Sequence, residues 1–342
     1  MIAYPIDVSP SSGAVLLGNN IACDGFHYAA GARVQTHIHD DHMEGFETSK
    51  GFQDILLTEA SLRLLIAEFN ADLPYRQNIY TLGHGTSYQC RGDLVTLVNS
   101  GHMLGAAQVW VELADGMLVG YSGDFQWPAD HVIQVEALVV DSTYGSPAKE
   151  REYTQGDAEA AFLGLVLSQL RRGPVHIKSH RGTLQRALHV LSGQVDCPIL
   201  GSPRFSNEVE VYRTFGYGIG RVIRTDSPDG RLALRDGRFV RFYSKGDRLP
   251  VEITGAMIVL SAFMARPDDP VLEYSERSFC VAISNHADFL GTLEYVRATG
   301  ARYVVTDNTR GGHGVELAQA IEAQLGVKAR PSSYETTREW GV

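Results

Sequence analysis

Thr36-His37-Ile38-His39-Asp40-Asp41-His42 closes the apolar run Arg33–His39, and its reading decides the fold. On a strand, side chains two apart point the same way, so His37 and His39 are expected to grip one metal ion from a strand end. The chain then turns, and Asp41 and His42 are placed to serve a second position. Imidazole and carboxylate together suit zinc or another borderline divalent ion. Three histidines within six residues are more than a polar loop requires.

Working outward, further polar residues recur where apolar runs stop. His102 lies in Asn99-Ser100-Gly101-His102-Met103-Leu104-Gly105, after the run Leu94–Val98. Asp124 ends Leu118-Val119-Gly120-Tyr121-Ser122-Gly123-Asp124, and Asp141 ends Ala137-Leu138-Val139-Val140-Asp141. Taken singly, each aspartate reads as a turn cap and the histidine as a structural residue. Taken with the 37–42 cluster, they read as ligands converging at one sheet edge.

The layout around them is α/β. Short β-branched runs at Gly13–Leu17, Asn20–Cys23, Ile55–Thr58, Gln108–Leu113 and Met117–Ser122 are punctuated by Gly and Asp, as strands joined by turns are. Asp157–Arg172 and Thr183–Leu191 read as helices, with strands at Val175–Lys178 and Ile253–Leu260. The end reads βαβα: Ser278–Ser284, Asp288–Ala298, Ala301–Thr306 and Val315–Leu325. A β-rich first part closed by βαβα suggests stacked layers, with the segment 146–277 as an inserted α/β unit.

At 342 residues the chain exceeds one ordinary domain, and its 44% hydrophobic content excludes a disordered polymer. No apolar run is long enough to cross a bilayer, and no contact with a membrane is expected. The start, MIAYPIDVSPSSG, lacks a basic and an apolar leader region, so no secretory signal is expected. The four cysteines, Cys23, Cys90, Cys197 and Cys280, form no CxxC pattern and read as free thiols of a cytoplasmic protein. The net charge of −10 disfavours loose, whole-surface nucleic-acid binding. Its distribution is uneven: residues 1–145 carry 5 basic and 17 acidic side chains, and the rest carry 25 and 23. Ser179-His180-Arg181-Gly182-Thr183 sits between a strand and a helix start, where backbone N–H groups and Arg181 suit a phosphate, although an ordinary strand–helix turn has the same pattern. Phe242 and Tyr243, among arginines, offer either base stacking or core.

The order HxHxDH, SGHMLGA, YSGD and VVDSTYG resembles the metallo-β-lactamase superfamily, in its nucleic-acid-cleaving β-CASP branch. Ser284-Asn285-His286-Ala287-Asp288 resembles that branch's SxHAD segment, and Gly182-Thr183-Leu184-Gln185-Arg186 a drifted form of its GKAQR helix start. Within the branch, Ser284–Val305 resembles the bacterial exonucleases associated with DNA ligase genes. The resemblance implies a metallo-β-lactamase αββα sandwich over 1–145 and 278–342, with a β-CASP cap domain at 146–277. It implies two divalent ions, zinc or alternatively manganese. His37, His39 and His102 would hold the first; Asp41 and His42 would hold the second, with Asp124 bridging. Asp141 would orient His286, the general acid of phosphodiester cleavage, and Asp41 belongs to the catalytic set. Ser179, Arg181 and Thr183 would meet the substrate's terminal phosphate.

One segment departs from the family's pattern. After the strand that ends at Thr306, the family has His-Gly supplying the last ligand of the second ion. Here the chain reads Asp307-Asn308-Thr309-Arg310-Gly311-Gly312-His313-Gly314. His313 keeps the local order of His-Gly before a helix; Asp307 is its rival by strict position. The implied activity is a 5′→3′ DNA exonuclease in repair or processing, with DNA preferred to RNA and DNA ligase or helicase repair proteins as partners. The alternatives are an RNA-processing ribonuclease of the same branch, a thioester or lactone hydrolase, and a non-catalytic nucleic-acid-binding scaffold.

Overall fold

The computed structural model describes residues 4–69, 72–250, 252–264 and 266–334; the first three residues of the stretch read for a leader lie outside these. The chain divides into two compact units, one of 1–66, 71–150 and 286–342, the other of 67–70 and 151–285. The divisions fall at 150/151 and 285/286, against 145/146 and 277/278 expected from the sequence. Among the described residues, no helix is long and apolar enough to cross a membrane.

The first unit opens with β1 (Ile6–Val8), β2 (Val15–Leu17), β3 (Ile21–Cys23), β4 (Ala32–Val34), β5 (Asp54–Leu57) and β6 (Ile79–Thr81), which lie side by side in that order. Helices α1 (Phe46–Phe52) and α2 (Glu59–Phe69) flank β5 in sequence. Strands β7 (Ser87–Cys90), β8 (Asp93–Asn99), β9 (Ala107–Glu112), β10 (Leu118–Tyr121) and β11 (Ala137–Asp141) begin a second sheet.

The second unit then intervenes with α3 (Gln155–Leu170), β12 (Val175–Lys178), α4 (Thr183–Leu191), β13 (Ile199–Gly201), α5 (Pro203–Thr214), β14 (Ile223–Arg224), α6 (Pro228–Asp236), β15 (Val240–Tyr243), β16 (Ala256–Leu260), β17 (Val271–Ser275) and β18 (Ser278–Val281). Its sheet runs β14-β13-β15-β12-β16-β18-β17, parallel except for the β17–β18 hairpin. Helix α3 starts two residues before the expected Asp157. Thr154 and Asp157 form a reciprocal capping box there, which satisfies the first free N–H groups.

The chain returns to the first unit through α7 (Phe289–Thr299), β19 (Tyr303–Asp307), α8 (Gly314–Leu325) and β20 (Lys328–Pro331). These complete the second sheet in the order β20-β19-β11-β10-β9-β8-β7, with β19 parallel to β11.

Alternation along the strands explains the layering. Val15, Leu17, Val34 and Leu56 of the first sheet share one core with Val95, Leu97, Val109, Val111, Val119 and Val139 of the second. On the second sheet's opposite face, Leu138, Val140 and Val304 pack with Leu293 and Val296 of α7 and Leu317 and Ile321 of α8. Ile55 and Leu57, pointing away from the inter-sheet core, are fully buried too, and α1 packs on β5. The result is the expected mixed α/β architecture: two face-packed sheets with helices outside them. Each fully buried Val or Leu contributes roughly 1.5–3 kcal/mol, so the ends of these strands are held by a stiff core.

One expected strand is shorter than its apolar run. β4 stops at Val34 instead of continuing to His39. Gln35 N still reaches Leu56 O, but Thr36 N donates to the carboxylate of Asp24 (2.8 Å). A side chain has taken the place of the neighbouring strand, and the backbone leaves the sheet there.

Candidate metal centre

The segment after β4 stays extended (His39 has φ −70 and ψ 149), with Thr36 O accepting from Ala107 N (3.0 Å). His37 and His39 therefore still turn their rings to one place. His37 Nε2 lies 3.1 Å from His39 Nδ1, and His102 Nε2 lies 3.2 Å from the same atom. His102 arrives on the turn between β8 and β9. That turn is pinned because Thr58 and Ser61 both donate to Gly105 O. Gly105 has φ +80, and a side chain there would meet Thr58 Oγ1 at 2.6 Å, so glycine is required.

Asp124 arrives just past β10, in a turn where Gly123 has φ +53 and a Cβ would strike Ala107 O at 2.6 Å. Its Oδ2 lies 3.3 Å from His37 Nε2 and 3.5 Å from His102 Nε2, and its Oδ1 lies 3.2 Å from His42 Nε2. His37, His39, His102 and Asp124 each offer an atom within 4.8 Å of the others. Three imidazole nitrogens and one carboxylate oxygen are the donor set and number of a tetrahedral zinc-type site. Three of the four are buried and His39 is partly so.

His42 supplies the second sign of a cation. Asp40–His42 form a single 3₁₀ turn, and the His42 ring is buried. Its Nε2 has no hydrogen-bond partner, while Asp124 and Asp41 carboxylate oxygens lie 3.2 and 3.6 Å from it. Buried polar atoms are seldom left unsatisfied; a lone pair facing two carboxylates is what a divalent ion would fill. Burial disfavours the imidazolium, but Asp124, Asp41 and Asp24 outweigh it and raise the pKa well above the usual histidine value. Burial likewise opposes ionisation of Asp124, yet His42, His37 and His286 hold its pKa well below the usual range.

The orienting partner of His42 is Asp24, which the sequence reading missed. Asp24 follows β3 with a left-handed φ of 52. Its Oδ2 accepts from His42 Nδ1 (2.7 Å) and Thr36 Oγ1 (2.5 Å), and its Oδ1 from Thr36 N (2.8 Å) and Gln35 Nε2 (3.3 Å). Arg33, fully buried, donates to His42 O and Glu44 O, both at 2.8 Å, and so ties down the same turn. Burial lowers its pKa to about 10, against the pull of Asp24. The available signal was an Asp-Gly pair ending the run Asn20–Cys23, which also reads as an ordinary turn.

On the other side of Asp124 stands a dyad. His286 Nδ1 lies 3.0 Å from Asp141 Oδ2, and His286 Nε2 lies 3.7 Å from Asp124 Oδ2. Asp141 Oδ1 caps the turn by accepting from Thr143 N and Thr143 Oγ1. It thus performs both the structural and the orienting role. Burial disfavours the charged ring of His286, but Asp124 and Asp141 overcome this and raise its pKa to about 9.

Other expected site residues are not brought into this cluster. His313 precedes α8 with a half-buried ring whose Nδ1 lies 3.4 Å from Glu316. Asp307 is buried at the end of β19, its Oδ1 accepting from Thr309 N (2.9 Å) and Thr309 Oγ1 (2.6 Å) and its Oδ2 ion-paired with Arg310. In the second unit, Ser179 Oγ donates to Leu260 O (2.8 Å) and Arg181 Nε to Glu208 (3.2 Å), so both are engaged internally. Thr183 is the first residue of α4, where Gly182 N donates to Gln185 Oε1. Phe242 and Tyr243 are core residues, Tyr243 Oη lying 2.8 Å from His176 Nδ1.

An αββα sandwich presenting clustered histidines and aspartates at its strand ends defines a class of metal-dependent hydrolases. An uncharacterized protein in the lig 3′ region of Acidianus ambivalens is 28% identical over 40% of this chain and 98% of its own length. The DNA cross-link repair protein SNM1 of Arabidopsis thaliana is 28% identical, over 39% of this chain and 29% of that one. An RNase J-like protein of Methanocaldococcus jannaschii is 27% identical, over 42% and 40%. The chain thus spans nearly all of the first relative but well under half of the other two. No family model matches the chain. A crystal structure of a protein of unknown function from Enterococcus faecalis V583 has the same fold, with a TM-score of 0.56 at 13% identity over 80% of this chain and 74% of that one. The chain is similar to members of the metallo-β-lactamase superfamily's β-CASP branch, and these relatives are metal-dependent nucleases.

Proposed function

We propose that this chain is a divalent-metal-dependent phosphodiesterase acting on nucleic acid, and in particular a 5′→3′ DNA exonuclease of repair or processing in the cytoplasm. The observation that carries the reading is the convergence on Asp124 of four imidazoles, His37, His42, His102 and His286, with Asp141 behind the last. The preference for DNA is supported by one relative, the DNA cross-link repair protein. DNA ligase or helicase repair proteins are the partners proposed with it. The second unit, 151–285, is proposed to be the inserted β-CASP domain.

His37, His39, His102 and Asp124 would hold one ion; Asp41, His42 and Asp124 would face another. Zinc is the proposed native metal, with manganese as the alternative. Bound there, divalent ions activate water and neutralise charge on the phosphoryl oxygens. The protein's own part is positional. Asp24 keeps the His42 Nδ1 proton, leaving Nε2 as the ligand atom. Asp141 holds His286 by Nδ1, so that the Nε2 proton is the one delivered to the departing sugar oxygen. His313 is not included because it stands outside the grouped ligand atoms, nor is Asp307, which is ion-paired with Arg310; no phosphate contact is assigned to Ser179 or Arg181, which bond internally.

The test is digestion of matched, 5′-phosphorylated, end-labelled DNA and RNA with zinc, manganese or magnesium. Release of mononucleotides from the 5′ end of DNA is expected. Cleavage of RNA alone would favour the second reading, a ribonuclease, which the RNase J-like relative supports. Hydrolysis of thioesters or lactones without any polynucleotide cleavage overturns both.

A further inference from the structure

β11 and β19 are parallel neighbours, and Asp141 and Asp307 are paired in register at their ends. The two aspartates make the same turn. One oxygen of each accepts from the N and Oγ1 of a threonine two residues on, Thr143 or Thr309. The other oxygen of each meets a cationic side chain, His286 for Asp141 and Arg310 for Asp307. Arg310 is itself built into the second metal position's surroundings: it donates to Asp41 O (3.3 Å), Asp24 O (3.2 Å) and Gly13 O (2.6 Å). Burial disfavours its charge, but Asp307, Tyr121, Asp24 and Asp41 hold it firmly protonated. The donors left for a second ion are then Asp41, His42 and Asp124; the carboxylate at the family's terminal ligand position is neutralised, and a guanidinium stands beside the pocket.

Resting on the metal-dependent reading above, we propose that Arg310 is a fixed cation flanking the second metal position, so that the chain retains one divalent ion firmly and binds the other weakly. The first position fits its ion with four donors. The second fits incompletely, because Asp307 is committed to Arg310 and His313 is not among the grouped ligand atoms.

The test is metal stoichiometry, read by elemental analysis after desalting and by equilibrium dialysis against zinc or manganese, with circular dichroism as the check of folding. Wild-type protein is expected to keep one ion per chain through desalting and to take up a second only as free ion is added. Arg310→Gln keeps hydrogen-bond donors and removes the charge; it is expected to tighten the second ion by on the order of tenfold, the effect of deleting a nearby like charge in a partly screened site. Asp307→Asn leaves Arg310 unneutralised and is expected to weaken the second ion by a similar factor, so the two variants move in opposite directions. Two ions retained through desalting, or a second-ion affinity indifferent to both variants, overturns the proposal while leaving the metal-dependent reading intact. Wild-type protein that binds neither ion, and does so no differently from His37→Ala, overturns that parent reading instead.

Discussion

Asp24→Asn isolates the orientation of His42. The side chains are isosteric, so packing around the position is kept, but a donor replaces one acceptor. With Asn Nδ2 in the place of Oδ2, a donor faces Thr36 Oγ1 and His42 Nδ1, which lie 2.5 and 2.7 Å from that oxygen in the native protein. The Thr36 hydroxyl can rotate; His42 must change tautomer, accepting at Nδ1 and carrying its proton on Nε2. Nε2 is the atom that faces Asp124 and Asp41, so the variant blocks the ligand lone pair. Flipping the amide does not escape the conflict, because Nδ2 would then oppose Thr36 N and Gln35 Nε2, both donors to Oδ1.

Loss of such an orienting carboxylate typically lowers metal affinity by about 10–100-fold, about 1.4–2.7 kcal/mol. The metal-free protein should also lose about 1–3 kcal/mol of folding stability from the unsatisfied donor. Competition titration with a chromogenic chelator measures the first quantity and urea denaturation the second. Only the ion at Asp41, His42 and Asp124 should weaken, because His37, His39 and His102 keep their ligand atoms. Equal weakening of both ions, or none of either, would refute the assignment of Asp24 as the His42 orienter.

Alanine at His37, His39 or His102 should remove the firmly held ion, with elemental analysis of the folded variant as the readout. His286→Gln and Asp141→Asn should each slow cleavage, by about 10²–10⁴-fold for His286, while metal content stays at the wild-type level; a parallel loss of metal would make the dyad a ligand pair. His176 in the second unit is buried, which lowers its pKa below 6.5, with the bond to Thr254 O working in the opposite direction. The unfolded chain therefore binds that proton more readily. Stability from this source is complete above pH 6.5 and falls as the pH drops through that value, so denaturant melts of His176→Gln should show a shallower acid limb. Gly123→Ala, which forces a Cβ against Ala107 O, should displace Asp124 and lower both metal content and melting temperature.

The layers and the main cluster were legible because their signals are local. β-branched alternation marks β8, β9, β10 and β11, and the histidine spacing survives although the backbone leaves the sheet at Thr36. What escaped was set by distant partners. Asp24 looks like any turn aspartate until Thr36 and His42 close on it, and nothing near Arg33 announces a buried guanidinium beneath a 3₁₀ turn. α1, which packs on β5, is only seven residues long and offers too short a period to read. His313 was favoured because His-Gly before a helix preserves a local order. The alternative hung on which side chain Asp307 would meet, and Arg310 is decided by the turn that brings it back.

The acidity of the first 145 residues has a physical reading once the centre is known. With 17 acidic and 5 basic side chains, that stretch would repel a phosphodiester if its carboxylates were spread over an uncompensated surface. At the strand ends the charges of that stretch are instead opposed: Asp124 by imidazoles and Asp141 by His286. Asp41 faces His42, whose other ring nitrogen is already held by Asp24. A charge left in that state asks for an external cation. The polyanion's approach and the metal's occupancy are therefore coupled through one carboxylate, and the arginine beside it sets how strongly that cation is held.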